Sequence, residues 1–517
     1  MTDPIFAKQA EAACNSALTT AHAGGGEGRP FWNPESFQFM YVPAFQFQPI
    51  PGTKNYRYHA VDEAGADHTF EADSAKALLT PVWAEIPEGV VKLTVYALDE
   101  AGREKYLAGA RTFFKLASFP ADLPEAACSY RDCVIRSYDY AFGQSVIQHW
   151  LTHGTPDPDY DLNVYPSKMI SWIVRAMLTY ERISPVHAEE ALKIAVNAAD
   201  YLIGLTPEDG PMTGVPPTYQ IDFRDHPESR DNLTGAERLH TVMLQYPAQA
   251  GLAYIELEKR LKNRKYLEAA KKIGAFYQQY VSENGSWYLI FDYRTGEPLV
   301  QNFTDPLGQV LPFLRGLYQM TGEAVWKDLA DGALRYVENC MMVSYEWEGQ
   351  FEDSFCSHSY SNLTHYCPTA LAGYYAAYYP EDELKMQAAE ELMRFAEDQF
   401  VVWKRPAPWN LSGFDTSLWL TPCGLEQYAW HVPIDASTAD LMLGFLHLYQ
   451  AGRGELYLEK AKALADAITR SQQPDGMIPT HWMNEEHLHG KNYWINCQFF
   501  TAEALTELTD FLDAHET

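Results

Sequence analysis

Residues 1–28 place apolar and polar positions with the period of an amphipathic helix, and the pattern stops at Gly24-Gly25-Gly26. The period then falls to two. Phe45-Gln46-Phe47-Gln48, Tyr56-Arg57-Tyr58-His59, Val91 to Tyr96 and Thr112-Phe113-Phe114 alternate as half-buried strands do. Turn signals stand between them at Pro51-Gly52, Asp62-Glu63-Ala64-Gly65, Pro87-Glu88-Gly89 and Asp99-Glu100-Ala101-Gly102. Strands at this spacing predict a small β-sandwich over residues 36–116, with a helix and linker over 1–35 before it. Residues 117–129, which carry Pro120 and Pro124, read as a linker.

From residue 130 to 517 the pattern is helical and it repeats. One kind of segment is apolar nearly all round: Lys168 onward, Val242 to Leu257, Pro306 to Leu317, Tyr366 to Tyr379, Thr438 to Leu448 and Phe499 to Leu512. The other is amphipathic: Val134 to Leu151, Ala188 to Leu205, Lys265 to Val281, Ala324 to Met341, Glu383 to Phe400 and Tyr457 to Ser471. A helix apolar on every side belongs in an interior, and an amphipathic one at its boundary. Six of each predict an (α/α)6 toroid with inner and outer rings. An open solenoid of helical hairpins has the same repeat, and the count of six with long linkers favours the closed ring.

The linkers leading into the buried helices repeat a phrase: Glu208-Asp209-Gly210, Glu283-Asn284-Gly285-Ser286-Trp287, Trp347-Glu348-Gly349-Gln350-Phe351 and Pro474-Asp475-Gly476-Met477. Asp-Gly and Asn-Gly make tight turns, and the apolar residue after them starts a strand. The linkers leaving the buried helices are short and plain, as at Met320-Thr321-Gly322-Glu323. Function is therefore expected on the elaborate rim, at the N-terminal ends of the inner helices.

Composition narrows the partners. Lys and Arg number 39 against 69 Asp and Glu, a net charge of −30. Phosphate backbones and anionic membrane surfaces are bound by cations, so neither nucleic acid nor membrane is expected as a partner. The first residues show neither a basic nor an apolar targeting region, and no run of about 18 apolar residues occurs. The eight cysteines form no CxxC pair. Together these point to a cytoplasmic protein with reduced thiols. Aromatics make up 14% of the chain, with 33 Tyr and 13 Trp, many in polar linkers. Aromatic faces beside polar groups suit sugar rings, which have apolar faces and hydroxylated edges.

Repeated hairpins with Asp/Asn-Gly-x-Trp-like turns, acidic and aromatic linkers and a sandwich in front resemble the six-hairpin glycosidase superfamily. Within it the chain looks most like enzymes acting on uronic acids: unsaturated glucuronyl hydrolases, toroidal β-glucuronidases and toroidal uronate lyases. The resemblance covers residues 130–515. It implies a mainly α fold and a glycoside hydrolase, β-glucuronidase-like, that releases a terminal glucuronic or unsaturated uronic acid from an oligosaccharide or small glycoside. His358 and His365, seven apart, lack the spacing of H-E-x-x-H, and no Walker A or G-x-G-x-x-G motif occurs, so neither metal nor cofactor is expected; a homo-oligomer is left open.

Glycoside hydrolysis needs one protonated carboxyl and one carboxylate acting as base or nucleophile. The densest supply is Trp347-Glu348-Gly349-Gln350-Phe351-Glu352-Asp353, which makes Glu352, Asp353 and Glu348 catalytic candidates, with Asp222 as the partner from another linker. Desolvation against Trp347 or Phe351 would raise a carboxyl pKa as a general acid requires. Arg224 and Arg230, beside Tyr219, are candidate clamps for a uronate carboxylate; pairing with Asp222, Asp225 or Asp231 is the alternative. Trp409 and Trp430 are candidate sugar platforms, Trp347 and Tyr219 further binding candidates, His431 a hydroxyl partner, and Asp435 a helix cap, with Ser437 and Thr438 as rivals. The run His358, Tyr360, Asn362, His365, Tyr366 holds residue types that the resembling uronate lyases use, so His358, Tyr360, Asn362 and His365 are candidate binding residues and a lyase or epimerase is the rival activity. A non-catalytic sugar-binding protein would need the aromatics but not the acids.

Overall fold

The computed structural model describes residue 33 and residues 35–219, 239–303, 308–348, 360–483 and 494–515. The helix expected over 1–28 lies outside them.

Seven strands come first: β1 (Gln38–Phe39), β2 (Ala44–Gln46), β3 (Tyr56–Val61), β4 (Asp67–Ala72), β5 (Lys76–Leu78), β6 (Gly89–Leu98) and β7 (Glu104–Lys115). Five form one sheet in the order β1-β7-β6-β3-β4, and β2 pairs with β5 in a second, smaller sheet. The β1–β7 pairing is parallel, while β3 runs antiparallel to both β6 and β4. Alternation sets the faces: Tyr56, Tyr58 and Ala60 of β3 and Val91, Leu93 and Val95 of β6 are buried. The rings of Phe39, Phe45 and Phe113 meet at 5.4–5.7 Å between the two sheets. Strand β4 escapes a pattern search because its inward face, His68, Phe70 and Ala72, is only half-buried and holds one large apolar side chain, Phe70, stacked on Tyr58.

Among the described residues, twelve helices build the rings: α1 (Tyr130–Gly143), α2 (Pro166–Ile183), α3 (Ala188–Gly204), α4 (Gln245–Leu261), α5 (Arg264–Tyr280), α6 (Val310–Thr321), α7 (Ala324–Tyr336), α8 (Tyr366–Tyr378), α9 (Glu383–Phe400), α10 (Asp435–Gln450), α11 (Glu455–Ser471) and α12 (Ile495–His515). The even-numbered helices are the inner ring and the odd-numbered ones the outer. Each inner helix packs on the outer helix that follows it in the chain, and α12 closes the circle on α1 and α2. Within the inner ring α2 meets α4, α4 meets α6, α8 meets α10 and α10 meets α12. Helices α6 and α8 are joined by polar and aromatic contacts: Gln309, which caps α6, donates to the Tyr366 hydroxyl at 2.7 Å, and Arg315 lies over the Tyr378 ring. The closure of α12 on α1 rules out the open solenoid.

Two boundaries differ from expectation. The helix read over Val134–Leu151 is α1 plus a separate helix, Ser145–His153, because Gln144 between them is extended with ψ 147°. Helix α7 ends at Tyr336, and the chain continues through a wider π-type turn, Val337–Met341.

Connections leaving inner helices span two to four residues. Those entering them carry the remaining strands: β8 (Thr241–Met243), β9 (Tyr288–Asp292), β10 (Pro298–Phe303), β11 (Val401–Val402), β12 (Cys423–Gln427) and β13 (Trp430–Pro433). The Asp/Asn-Gly turns in these linkers have a packing role. Gly285 (φ 88°) and Gly476 (φ 103°) are left-handed, and a Cβ there would lie 2.6 Å from the Gly332 carbonyl and 2.3 Å from the Arg136 carbonyl. Each turn is thus pressed onto a neighbouring outer helix, α7 and α1.

The small sandwich docks on the C-terminal end of α9. Asp398 accepts the backbone N–H groups of Met40 and Tyr41 at 2.6 and 2.8 Å. The Gln38 amide donates to the Gln399 carbonyl at 3.0 Å, and the Tyr41 hydroxyl donates to Glu397 at 2.7 Å. Glu397 is buried and also receives Lys460 at 2.7 Å and the Trp403 indole N–H at 3.0 Å. Among the described residues no helix is long and apolar enough to cross a membrane.

Candidate active site

A funnel opens on the elaborate rim at the N-terminal ends of the inner helices. One wall comes from α2 and α4, with Lys168, Trp172, Gln245, Tyr246 and Gln249. The facing wall comes from α8, α10 and strand β12, with His365, Tyr366, Ser437, Asp440 and Glu426; Asn496 and Phe500 of α12 complete the ring. Below this chamber of about 100 Å³ lies an axial cavity of about 610 Å³ that runs down the lumen to Arg182 and Asp510 near the opposite rim. Trp172, Tyr366, Asp440 and Phe500 line both spaces and form the neck between them. The joined volume is of the order that small-molecule sites need.

At the neck His365 and Asp440 are paired. His365 sits at the entrance to α8 and is buried, with its Nδ1 2.9 Å from Oδ2 of Asp440. Its ring stands edge-on to Phe400 at 5.6 Å. Fixing Nδ1 on a carboxylate sets the ring orientation and leaves Nε2 for proton transfer. Burial raises the Asp440 carboxyl above its ordinary value, and this outweighs the opposing pull of His365. A carboxyl moved upward toward neutrality can both give and take a proton. Glu426, half-buried on β12, is a second carboxyl on the same funnel. Deeper in the lumen Glu503 is raised to about 7 by burial, while Arg175 opposes the shift from 3.5 Å.

No family model and no curated protein matches the sequence. Among solved structures the chain is similar to a D-mannose isomerase, with 12% identity and a TM-score of 0.50 over 76% of this chain and 100% of that one. It is also similar to a family 76 glycoside hydrolase from a bovine Bacteroides thetaiotaomicron strain, with 12% identity, a TM-score of 0.49, and 93% and 98% of the two chains covered. A third is the cellobiose 2-epimerase of Spirochaeta thermophila, with 16% identity, a TM-score of 0.49, and coverage of 75% and 98%. The protein has the six-hairpin (α/α)6 toroid fold.

The six-hairpin toroid distributes the residues singled out from sequence unevenly. Asp222, Arg224, Arg230, Glu352, Asp353 and His358 lie outside the described residues. His365 is on the funnel. Glu348 accepts the Asn362 N–H at 2.7 Å, and the Asn362 side chain bridges Gln427 and the Ala429 N–H, so this pair ties the linker before α8 to β12. Tyr360, with φ 67°, donates its hydroxyl to the Ser344 carbonyl at 3.2 Å. Trp347 is sealed in the core against Tyr345, with no face left for a sugar. Trp409 packs between Phe37 and Phe114, at the junction with the small sandwich. His431 is buried beside Phe37 and Tyr428, and burial pushes its pKa down to about 4, which keeps it neutral. Trp430 is half-buried, donates to His481 at 3.2 Å and meets Phe414 edge-on. Tyr219 is buried with its ring 5.3 Å from Tyr165.

Asp435 does not cap α10 from the preceding position. The cap is Ile434, and Asp435 instead accepts the Thr501 hydroxyl of α12 at 3.1 Å. Lys168, Gln249 and Asp440 were not anticipated, because each lies within a helix otherwise read as apolar all round, and Asn496 was not because α12 begins at Ile495, ahead of the Phe499 start read from the pattern. A polar side chain that interrupts such a helix near its first turns is the signal that would have found them.

Proposed function

We propose that the protein is a glycoside hydrolase that takes a terminal sugar into the funnel and cuts it from an oligosaccharide or small glycoside. The observation that carries this reading is Asp440, a carboxyl on the funnel floor held toward its protonated form by burial, with a second carboxyl, Glu426, on the same wall. Hydrolysis by this route gives one proton to the glycosidic oxygen and takes one from the attacking water. Glu352, Asp353, Asp222 and Glu348 stay proposed as further carboxyls for the second role. The sugar is proposed to be glucuronic or unsaturated uronic acid. Lys168 supports this by bringing an ammonium into the funnel of a chain that is otherwise strongly acidic. Arg224 and Arg230 are proposed to assist it. The six cysteines among the described residues are free thiols, which fits a reducing cytoplasm.

One observation favours a second reading. The His365–Asp440 pair is the arrangement that prepares a general base, and abstraction of a proton next to a carboxylate or carbonyl would make the enzyme a lyase or an epimerase. A screen of chromogenic uronides and neutral glycosides, read by reducing-sugar release and by absorbance of a new C4=C5 double bond, separates the two. Asp440→Asn should lower kcat by about 10²–10⁴-fold with the melting temperature held within a few degrees. Glu352→Gln and Asp353→Asn are read in the same assay, and one of them should show a comparable loss. Double-bond absorbance without reducing-sugar release would overturn the hydrolase reading.

A further inference from the structure

Among the described residues, one wall of the funnel bears no carboxyl and no imidazole. Helices α12, α2 and α4 are consecutive around the inner ring, and near their N-terminal ends they present Asn496, Lys168 and Gln249. This wall stands across the funnel from the His365–Asp440 pair on α8 and α10.

Gln249 and Asn496 are 8% and 7% exposed, and the side-chain oxygen of each is buried with no hydrogen-bond partner among the described residues. Native interiors rarely leave such groups unpaired, since each costs about 1–3 kcal/mol. Two of them on one wall of one funnel mark places where something else completes the bonding. A primary amide is a donor on one side and an acceptor on the other, so the group that fits it in either orientation is a hydroxyl. A methyl ether or an acetyl ester can only accept, and a deoxy position can do neither. Between the two amides Lys168 is held with its ammonium 4.7 Å from the Trp494 ring centroid and 5.6 and 5.9 Å from those of Tyr165 and Tyr246.

We propose that Gln249 and Asn496 are the specificity-determining residues of the funnel, each binding one free ring hydroxyl of the sugar. The wall therefore selects an unsubstituted polyhydroxylated ring and rejects one that is methylated, acetylated or reduced at those two positions. This rests on the reading that the funnel takes a sugar. It does not depend on which acid–base chemistry follows. The selectivity is steep because a ligand lacking the hydroxyl leaves the amide buried and still unpaired.

The test is equilibrium binding by calorimetry on the full chain. The probes are methyl glucuronide and methyl glucoside, each with its series of single-position deoxy and O-methyl derivatives. Two positions should each matter by about tenfold to a hundredfold in Kd. In Gln249→Leu the sensitivity to one of those positions should vanish, and in Asn496→Leu the sensitivity to the other. Gln249→Glu, which keeps an acceptor, should retain part of the preference, and this variant also guards against a misfolded leucine variant. Binding with an unchanged hydroxyl profile in both leucine variants would overturn this inference alone. Binding with no reducing-sugar release would overturn the hydrolase reading alone. Failure of every probe to bind the wild-type chain would overturn both.

Discussion

Asp398 ought to make this protein less stable as the pH rises from 4 to 7, and a single substitution ought to remove the effect. The carboxyl is buried where the small sandwich meets α9, and it is raised to about 7, first by desolvation and also by Glu397, against the pull of the Met40 and Tyr41 N–H groups and Gln399. Arg394, Tyr41 and Tyr428 complete the surroundings. The unfolded chain releases this proton near the ordinary value of 3.8, whereas the folded chain keeps it until about 7. Between those values the folded state binds more protons, so its stability falls with rising pH by about 1.4 kcal/mol per unit and levels off above the folded value. Across the window this amounts to about 3–4 kcal/mol. Asp398→Asn keeps an acceptor for both N–H groups and cannot ionise. In urea denaturation followed by tryptophan fluorescence it should match wild type near pH 4 and exceed it increasingly toward pH 7. Asp398→Ala leaves both N–H groups unpaired and should lose about 3 kcal/mol at pH 5. Parallel pH profiles for Asp398→Asn and wild type would refute the reasoning.

Two further outcomes rest on packing alone. Lys460→Met leaves the buried Glu397 without its cation and should cost about 3–5 kcal/mol, and a thermal melt showing a loss under about 1 kcal/mol would contradict the buried pair. Gly251→Ala would put a Cβ 2.2 Å from the Phe313 ring where α4 crosses α6, so the variant should lose about 1–3 kcal/mol, and an unaltered melt would contradict the close approach of those helices.

The twelve helices were legible because burial writes itself into composition: α10 and α12 are apolar on nearly every side, while α9 and α11 carry charge on one face. What periodicity does not reveal is a strand whose inner face is half-buried and mostly polar or small, such as β4, or a break made by one backbone angle, as at Gln144. The rim that bears the funnel could be chosen from linker length, and His365 was picked out from the linker chemistry. Its partner Asp440 lies 75 residues away on another hairpin, and nothing local to either residue announces the pairing. The misplaced emphasis on Trp347 and His431 has one cause. An aromatic or imidazole ring in a polar stretch looks the same in sequence whether it faces a ligand or the core, and here both turn inward.

The closed ring also has a consequence in time. Gln498 of α12 donates to the Ser137 carbonyl of α1 across 361 residues, so the first hairpin waits for the last helix before its partner exists. As the chain leaves the ribosome, each hairpin can form soon after it is made, but the seam between α1, α2 and the missing α12 stays open, with its apolar faces in water. Nascent chains spend most of synthesis as an incomplete crescent, the state in which chaperone capture and aggregation compete with folding. Completion of the pocket depends on the same helix. Asn496, Phe500 and Glu503 all arrive with α12, so the pocket lacks one side until that helix is made.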